Sequence, residues 1–445
     1  MKSTAVKAAH GEWRELSGDA VYETSFALEK AGFAEIRVLA KADSDWSKEG
    51  CESAALRIHV DGRYNQDLIL FGGSDPLVYP RLLGYYEPGT YRVQFQFQRD
   101  ISSPGVDKAY IQSVEVQTIA SDSELYRIYR HAPILYGRNL HHPYESRYTD
   151  TPMVLFYWLE EGEGETAIEY HMMFSHEDGG TPGAMLMSKW GRTSDIEWVY
   201  RVVLDADGKV KSAIYQGPHH KTTEFAGRTD LGGHPVLQVA TVNGNVSDQV
   251  TSQYRFLLPP VYRWDPAREP RERVMDAFPF TYRVTAQEML RQHPRELPPV
   301  ANSFQLTDLR HYLYVQCCKL PDDPEKQTCV DIQVKLRSTG HWYSSSFGDL
   351  RYGNFRAAYT GPYPHFATTV KLPPGTTLED IEEICAVLLE GGADAVLVPE
   401  LKAFFLTDDY TPGEAVVAKG ECRLTREEPK RRLWPDMNPR AGAEM

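Results

Sequence analysis

The stretch GTYRVQFQFQ, residues 89–98, decides the fold class, because apolar and polar side chains alternate along it with a period of two. That period places the apolar side chains on one face of an extended strand and the polar ones on the other. The residues on the apolar face are Tyr91, Val93, Phe95 and Phe97. Similar short runs, separated by turn residues, recur through residues 1–120. Their spacing is typical of a β-sandwich, so we expect an N-terminal sandwich over this segment.

A second β-rich region runs from about Ile134 to Leu258. Two of its alternating runs are joined by DADG at residues 205–208, which predicts a hairpin turn. Short helices are predicted at SELYRIYRHAP, from the capping Ser123, and at PRERVMDAF and TAQEMLRQH. We therefore expect a central β-sandwich domain over residues 121–296.

Strands resume further on, and we expect a C-terminal β-sandwich over residues 297–432. Its one helix is predicted at TTLEDIEEICAVLLEGG, residues 376–392, because Thr377 can cap it, its first turn is acidic and Gly391 can end it. Residues 433–445 predict a mobile tail. The predicted fold class is thus mainly β, with a central sandwich flanked by two others and few short helices.

The charge balance excludes some function classes. The 62 acidic and 48 basic residues give a net charge of −14, which argues against an extended nucleic-acid surface and against docking on anionic lipid through charge alone. A cationic, neutral or metal-bridged ligand remains open. Aromatic residues make up 11% of the chain, which favours sugar binding, although a packed all-β core has the same composition. With no run of about 18 apolar residues, we expect no transmembrane segment.

The first residues of the chain and its cysteines provide information on the cellular compartment. The first residues contain no apolar segment of the kind found in a signal peptide. We expect an extracellular or periplasmic mature form that has lost its leader, with the cytoplasm as the alternative. Cys317, Cys318 and Cys329 flank a turn-like stretch, so a disulfide across a hairpin and buried free thiols are both open. Metal ligation there is less favoured, because no fourth ligand follows at a suitable spacing.

The candidate chemistry lies in DIEWVYRVVL, residues 195–204, where alternate side chains face opposite ways. Asp195, Glu197 and Arg201 fall on one face, which puts the two carboxylates about 7 Å apart. Two like charges at that distance need a cation, a shared proton or open water. The plain alternative is a solvated face with a Glu197–Arg201 ion pair. The apolar face predicted for the strand consists of Ile196, Trp198, Tyr200, Val202 and Leu204.

Further polar residues surround this strand in the sequence. Upstream, Glu177 and Asp178 precede two glycines, and Lys189 and Arg192 come just before the strand. Downstream, two adjacent histidines follow a Gly-Pro turn, which predicts a ligand or proton-transfer role against the alternative of ordinary surface histidines. The VNGNVSD segment reads first as a turn and, as the alternative, as part of the site; its polar residues are Asn243, Asn245 and Asp248.

The order of these pieces resembles the vacuolar protein sorting 62-like family, which is itself similar to the necrosis- and ethylene-inducing-peptide-like cytolysins. The segments that carry the resemblance are HAPILYGR from His131, GRTSDIE from Gly191, the DADG turn, QGPHH from Gln216 and HPVLQVA from His234. The match covers about residues 125–250. It implies a β-sandwich whose functional residues gather at the start of one core strand.

In the cytolysin branch, the Asp and Glu of the signature help to hold a divalent cation in an acidic cleft that engages glycolipid head groups. Carried over, the resemblance implicates Asp195 and Glu197. The upstream acid would be Glu177 or Asp178. Arg192 and Ser194 stand where that signature has histidines, and a cation beside Asp195 could replace a metal by pairing with the carboxylates.

Three functional hypotheses follow. The first is a carbohydrate-active enzyme that cleaves glycosidic bonds with Asp195 and Glu197 as the carboxylate pair and His219 as proton donor or orienting group. The predicted substrate-binding residues are Glu177, Lys189, Arg192, His220 and Lys221. The predicted ligands for calcium, magnesium or manganese are Asp178, Asp195 and Glu197.

The second hypothesis is a non-catalytic protein that binds a glycan or glycolipid. The third is a structural or interaction protein with a degenerate site. A glycan or glycolipid is the expected partner under the first two hypotheses, and nucleic acid is not expected under any of them.

Overall fold

The computed structural model describes residues 12–139, 151–177, 181–292, 300, 303–347, 351–352 and 355–435. Strands make up 50% of the structure and helices 11%, which confirms the predicted mainly β fold with few short helices. The chain forms two compact units: Met1–Gly179 with Ser194–Arg263, and Gly180–Thr193 with Trp264–Met445. The division into three domains stays a prediction.

The first unit begins with eight strands in two four-stranded antiparallel sheets, ordered β1-β8-β3-β6 and β2-β7-β4-β5. The strands are β1 (Arg14–Ser17), β2 (Val21–Leu28), β3 (Gly32–Ala42), β4 (Ala54–Val60), β5 (Arg63–Leu70), β6 (Leu77–Tyr86), β7 (Gly89–Phe97) and β8 (Lys108–Ala120). On β7, Val93, Phe95 and Phe97 are buried as the alternation predicts. Burial of this apolar face holds the two sheets together.

Among its described residues, the same unit continues with one α-helix and eleven strands. They are α1 (Tyr126–Arg130), β9 (Ile134–Tyr136), β10 (Pro152–Gly162), β11 (Glu165–Phe174), β12 (Ile196–Asp205), β13 (Val210–Gly217), β14 (Lys221–Glu224), β15 (Thr229–Asp230), β16 (His234–Val239), β17 (Val246–Ser247), β18 (Arg255–Phe256) and β19 (Pro260–Arg263). One sheet has the order β14-β13-β12-β11-β10-β19, and the other has the order β15-β16-β9-β18 with β17 paired to β16. The predicted DADG hairpin joins β12 to β13.

In the part of the second unit that the structure describes, there are three α-helices and eleven strands. They are α2 (Gly183–Trp190), α3 (Arg273–Ala277), α4 (Phe280–Gln292), β20 (Tyr312–Cys318), β21 (Leu320–Pro321), β22 (Val330–Leu336), β23 (Trp342–Ser344), β24 (Arg351–Tyr352), β25 (Phe355–Arg356), β26 (His365–Lys371), β27 (Ile381–Leu388), β28 (Ala395–Leu406), β29 (Pro412–Thr425) and β30 (Lys430–Trp434). Its two larger sheets are β21-β28-β20-β26, with β29 paired to β28, and β23-β22-β27-β30; β24 and β25 form a separate pair. Buried residues of both larger sheets form one core.

The helix predicted over residues 376–392 is wrong. Thr377 and Asp380 do form a capping box, but it closes a single 3₁₀ turn. The chain then becomes β27, which pairs with β22 on one side and β30 on the other. Ile381 and Ile384 are fully buried in the sandwich core. Pairing on both edges satisfies the backbone hydrogen bonds of β27, and this long-range pairing overrides the local preference for helix.

Several smaller predictions can be compared with the structure. The short helices expected near residues 126, 273 and 284 are confirmed as α1, α3 and α4. The strand β30 includes the first two residues of the expected tail, and residues 436–445 lie outside the described residues. The disulfide alternative is wrong, since none of the six cysteines forms a disulfide, and Cys317, Cys318 and Cys329 are buried thiols. Among the helices that the structure describes, none is long and apolar enough to cross a membrane.

Candidate functional site

The backbone around the start of β12 places the predicted carboxylates. The Asp195 carbonyl accepts a hydrogen bond from the Phe174 amide at 2.9 Å, just ahead of the strand. Glu197 then pairs with β11, but the register shifts once between Tyr170 and His171. This bulge inserts Val199 as an additional buried residue, so the predicted strict alternation is interrupted. Trp198, expected on the apolar face, is only half-buried.

Glu197, Gln216 and His220 lie together where β12 begins and β13 ends. Gln216 Nε2 donates a hydrogen bond to Glu197 Oε2 and lies 3.1 Å from His220 Nδ1. Glu197 Oε1 is 3.8 Å from the same ring nitrogen. Side-chain exposure is 14% for Glu197 and 55% for His220. The half-exposed imidazole of His220 therefore lies against the nearly buried carboxylate of Glu197 and amide of Gln216.

Two asparagines complete the arrangement from the loop between β16 and β17. Asn245 Nδ2 lies 3.3 Å from His220 Nδ1, and Asn243 Nδ2 lies 3.4 Å from His220 Nε2. Asn245 is almost fully buried, and its Oδ1 has no hydrogen-bond partner within the described part of the chain. We call Glu197, Gln216, His220, Asn243 and Asn245 the His220 cluster. It joins residues from three separate segments around one ring.

The backbone at the two histidines is strained. His219 has φ 61° and His220 has φ 56°, which is the left-handed region that non-glycine residues rarely adopt. Each costs roughly 1–2 kcal/mol. His219, predicted as the proton donor or orienting group, is exposed and its side chain makes no hydrogen bond with the described residues. The ring at the centre of the cluster belongs to His220, which was predicted as a substrate-binding residue.

Asp195 lies beneath the same loop rather than at the surface. It is 2% exposed. Gly244 has φ 67°, and a Cβ added there would overlap Asp195 Oδ2 and lie 2.9 Å from a ring carbon of Phe174. The buried carboxylate therefore packs directly under Gly244. It supports the turn that carries the two cluster asparagines.

Lys189 and Arg192 belong to the second unit, which we describe by itself. There Arg192 Nε donates to Glu272 Oε1 at 3.0 Å in a buried ion pair. The charged groups of Lys189 and Arg192 lie 5.0 and 5.7 Å from the centre of the Trp190 ring. Both side chains thus make cation–π contacts inside that unit.

The other predicted contacts have mixed outcomes. Lys221 is exposed at the start of β14, Glu177 is half-buried, and Asp178 lies outside the described residues. The alternative Glu197–Arg201 ion pair is wrong, because Arg201 instead pairs with Glu160 at 2.6 Å and Glu169 at 3.2 Å. Arg201 and its two acids form a network separate from the His220 cluster.

The structure does not settle the predicted metal site. Within the described residues, no group of three or more His, Cys, Asp and Glu side chains could hold a metal ion. Of the predicted ligands, Glu197 accepts a hydrogen bond from Gln216, Asp195 packs against Gly244, and Asp178 lies outside the described residues. The divalent cation therefore stays a prediction.

Gln216 and Gly244 were not assigned a role from the sequence, yet both help to form the site. The hairpin turn provides the signal for Gln216, because an antiparallel hairpin brings the end of β13 near the start of β12. The register itself shifts once, between Val203 and Leu204. The Asn-Gly-Asn run is a turn signal for Gly244, but its contact with Asp195 depends on the fold.

Comparisons with known proteins yield only distant structural likenesses. No family model matches the chain and no curated protein matches it, so the resemblance to the vacuolar protein sorting 62-like family stays a prediction. The CBM36-1 domain of a multidomain xylanase from the hindgut metagenome of Trinervitermes trinervoides has a TM-score of 0.20 at 13% identity, covering 24% of this chain and 77% of that one.

Two further structures show a similar degree of likeness. The C-terminal CBM6 of LamC, a marine laminarinase from Zobellia galactanivorans, has a TM-score of 0.16 at 13% identity and covers 24% of this chain and 74% of that one. NLPPya in complex with mannosamine has a TM-score of 0.22 at 13% identity and covers 32% of this chain and 74% of that one. At these TM-scores a functional assignment rests on the chain's own residues.

Proposed function

We propose that the protein binds a glycan through the His220 cluster and does not cleave it. The observation that carries the proposal is the half-exposed His220 ring, held in a strained backbone by a carboxylate and three side-chain amides. Backbone strain of this kind persists only where surrounding contacts fix it, and it concentrates at ligand sites.

The chemistry of the cluster matches sugar hydroxyl groups, which both donate and accept hydrogen bonds. Its carboxylate accepts, its amides do both, and a neutral imidazole has one donor and one acceptor. Asn245 Oδ1 adds a buried acceptor that has no partner among the described residues. A neutral polyhydroxylated ligand also agrees with the net charge of −14, which disfavours polyanions.

The burial of Asp195 favours binding over cleavage. Glycoside hydrolysis requires two carboxyl groups that flank the bond to be broken. Only Glu197 of the predicted pair belongs to the cluster, whereas Asp195 is 2% exposed beneath Gly244. A single carboxylate in the cluster suits orientation of a ligand better than acid–base chemistry at a glycosidic bond.

A glycan array followed by calorimetry on the best sugar tests this function. His220→Asn suits the test because asparagine tolerates a left-handed backbone while removing the ring. We expect it, and Asn243→Ala, to weaken binding about tenfold, the effect of one or two lost hydrogen bonds. Glu224→Gln, at an exposed position on neighbouring β14, is the matched control and should bind normally. Lack of saturable binding, or equal binding by all variants, would refute the proposal.

Two accompanying assays address the other hypotheses. Release of sugar product that disappears in Glu197→Gln would establish the hydrolase hypothesis instead. A rise in melting temperature with calcium, magnesium or manganese would establish the predicted cation. The extracellular or periplasmic location is part of the proposal, and cell fractionation tests it against the cytoplasm.

A further inference from the structure

A second polar site lies in the same unit, towards the other end of β13. It is a cleft of about 480 Å³, within the size range of small-molecule sites. Arg130 and His131 line it from the end of α1, Tyr200 from β12 and Ser212 from β13. Ser212 and Gln216 are four residues apart on one strand, roughly 13 Å, so this cleft is distinct from the His220 cluster.

Three side chains in the cleft have unused hydrogen-bonding capacity. His131 is 7% exposed and Tyr200 is 3% exposed, yet neither side chain forms a hydrogen bond with the residues that the structure describes. Arg130 is exposed and forms no ion pair with them. The polar atoms of these two side chains are not sealed from solvent, so they open into the cleft. A ligand that enters the cleft can therefore hydrogen-bond to them.

The charge of the cleft comes from Arg130. Lys211 also lines it, but its ammonium is paired with Glu165. Burial, with a contribution from Arg130, lowers the pKa of His131 to about 4, so its ring is neutral near pH 7. Burial raises the pKa of the Tyr200 phenol, which keeps it as a protonated donor. The cleft thus combines one fixed cation with two neutral hydrogen-bonding groups.

The remaining wall is apolar and aromatic. The Phe225 ring packs edge-to-face on Tyr200, with the ring centres 5.4 Å apart, and Val210 and Pro235 also line the cleft. We infer that the cleft binds a small ligand in which an oxyanion, such as a carboxylate or a phosphate, is attached to a single ring. Arg130 would contact the oxyanion, Tyr200 and His131 would hydrogen-bond to it or to a neighbouring polar group, and the ring would lie against Phe225. This inference does not depend on glycan binding by the His220 cluster.

Calorimetry on the full chain tests the inference, with benzoate, phenyl phosphate and glucuronate as probes. We expect saturable binding of at least one of them, weakened about tenfold in Arg130→Gln by the loss of a charge-assisted hydrogen bond. Tyr200→Phe removes only the hydroxyl and should weaken binding several-fold. Arg127→Gln is the matched control, because Arg127 is on the same helix but pairs with Glu161 at 3.0 Å; its affinity should be unchanged.

Each outcome has a defined meaning. If benzoate and phenyl phosphate differ in affinity, the tighter probe identifies the oxyanion as carboxylate or phosphate. If inorganic phosphate bound as tightly as phenyl phosphate, the inference that the ligand carries a ring would be overturned. No saturable binding of any probe up to about 10 mM, or equal weakening in Arg127→Gln and Arg130→Gln, would overturn the site. Thermal unfolding of each variant distinguishes a folded protein that does not bind from an unfolded one.

Discussion

Replacing Gly244 by alanine tests the contact that holds the cluster loop over Asp195. The new Cβ would overlap Asp195 Oδ2, which is buried, and would lie 2.9 Å from the Phe174 ring. The substitution also puts an alanine at φ 67°. Both effects act on the residue between Asn243 and Asn245, so stability and ligand binding should fall together.

The magnitude follows from two separate costs. A left-handed backbone costs alanine about 1 kcal/mol, and overpacking a closely packed site costs about 2 kcal/mol. Gly244→Ala should therefore lower the free energy of unfolding by about 3 kcal/mol. Gly208 is the matched control, because its φ is 76° but nothing lies within 4 Å of the added Cβ. Gly208→Ala should lose only the backbone cost, about 1 kcal/mol.

Urea unfolding of both variants measures this difference, and glycan binding is measured on the same samples. In an Asp195→Ala background the overlap with the carboxylate is absent, so Gly244→Ala should cost less there than in the original protein. Equal destabilisation by Gly244→Ala and Gly208→Ala would refute the packing of Asp195 against Gly244. Normal ligand binding by a destabilised Gly244→Ala protein would refute the role of this loop in the site.

Three further predictions concern the rest of the chain. Arg192→Ala should lower the free energy of unfolding by about 3–5 kcal/mol, because it leaves the buried Glu272 carboxylate without its partner; an effect below about 1 kcal/mol in urea unfolding would contradict this. Burial lowers the pKa of His131 and of His234 to about 4. The unfolded chain therefore binds more protons between pH 6.5 and 4. The free energy of unfolding should decrease by roughly 3 kcal/mol per histidine as the pH is lowered through this range, whereas a flat pH profile in urea unfolding would contradict it. Cys51 is the one half-buried thiol among six, so a thiol reagent should label one cysteine in the folded protein and six after denaturation; rapid labelling of more than one would be inconsistent with this.

Much of the fold could be predicted from local patterns. Alternation on β7 identified its buried face, and the DADG turn predicted that β12 pairs with β13. That hairpin brings Gln216 near Glu197, although the register also shifts between Val203 and Leu204. The bulge at Val199 could not be predicted, because it depends on pairing with β11.

The failed helix shows where local reasoning stops. Ile381, Ile384 and Leu388 have spacings that suit one face of a helix, and the capping box at Thr377 does form. All three side chains are nevertheless buried in a strand between two distant partners. The choice is made by pairing with β22, about 50 residues earlier in the sequence, and no local propensity reports such a contact.

The cleft of Arg130, His131 and Tyr200 was missed for a related reason. Each residue has a plain local explanation: a helix end, a histidine after that helix and an aromatic strand residue. Their shared feature, polar groups beside an apolar wall in one cleft, exists only once the chain has folded. A shared cleft joins residues that are distant in the sequence, so it could not be predicted from local patterns.

The strained pair His219 and His220 connects the sequence signal with the structural one. Two adjacent left-handed residues cost roughly 2–4 kcal/mol together, a substantial fraction of the stability of a typical domain. A Gly at position 219 would avoid half of that cost, and the imidazole of His219 makes no hydrogen bond with the described residues to offset it. His220 offers such an offset, because its ring lies within hydrogen-bond distance of Gln216, Asn243 and Asn245. A side chain that is held at such a cost and yet is half exposed is better explained by a ligand than by the folding of the loop alone.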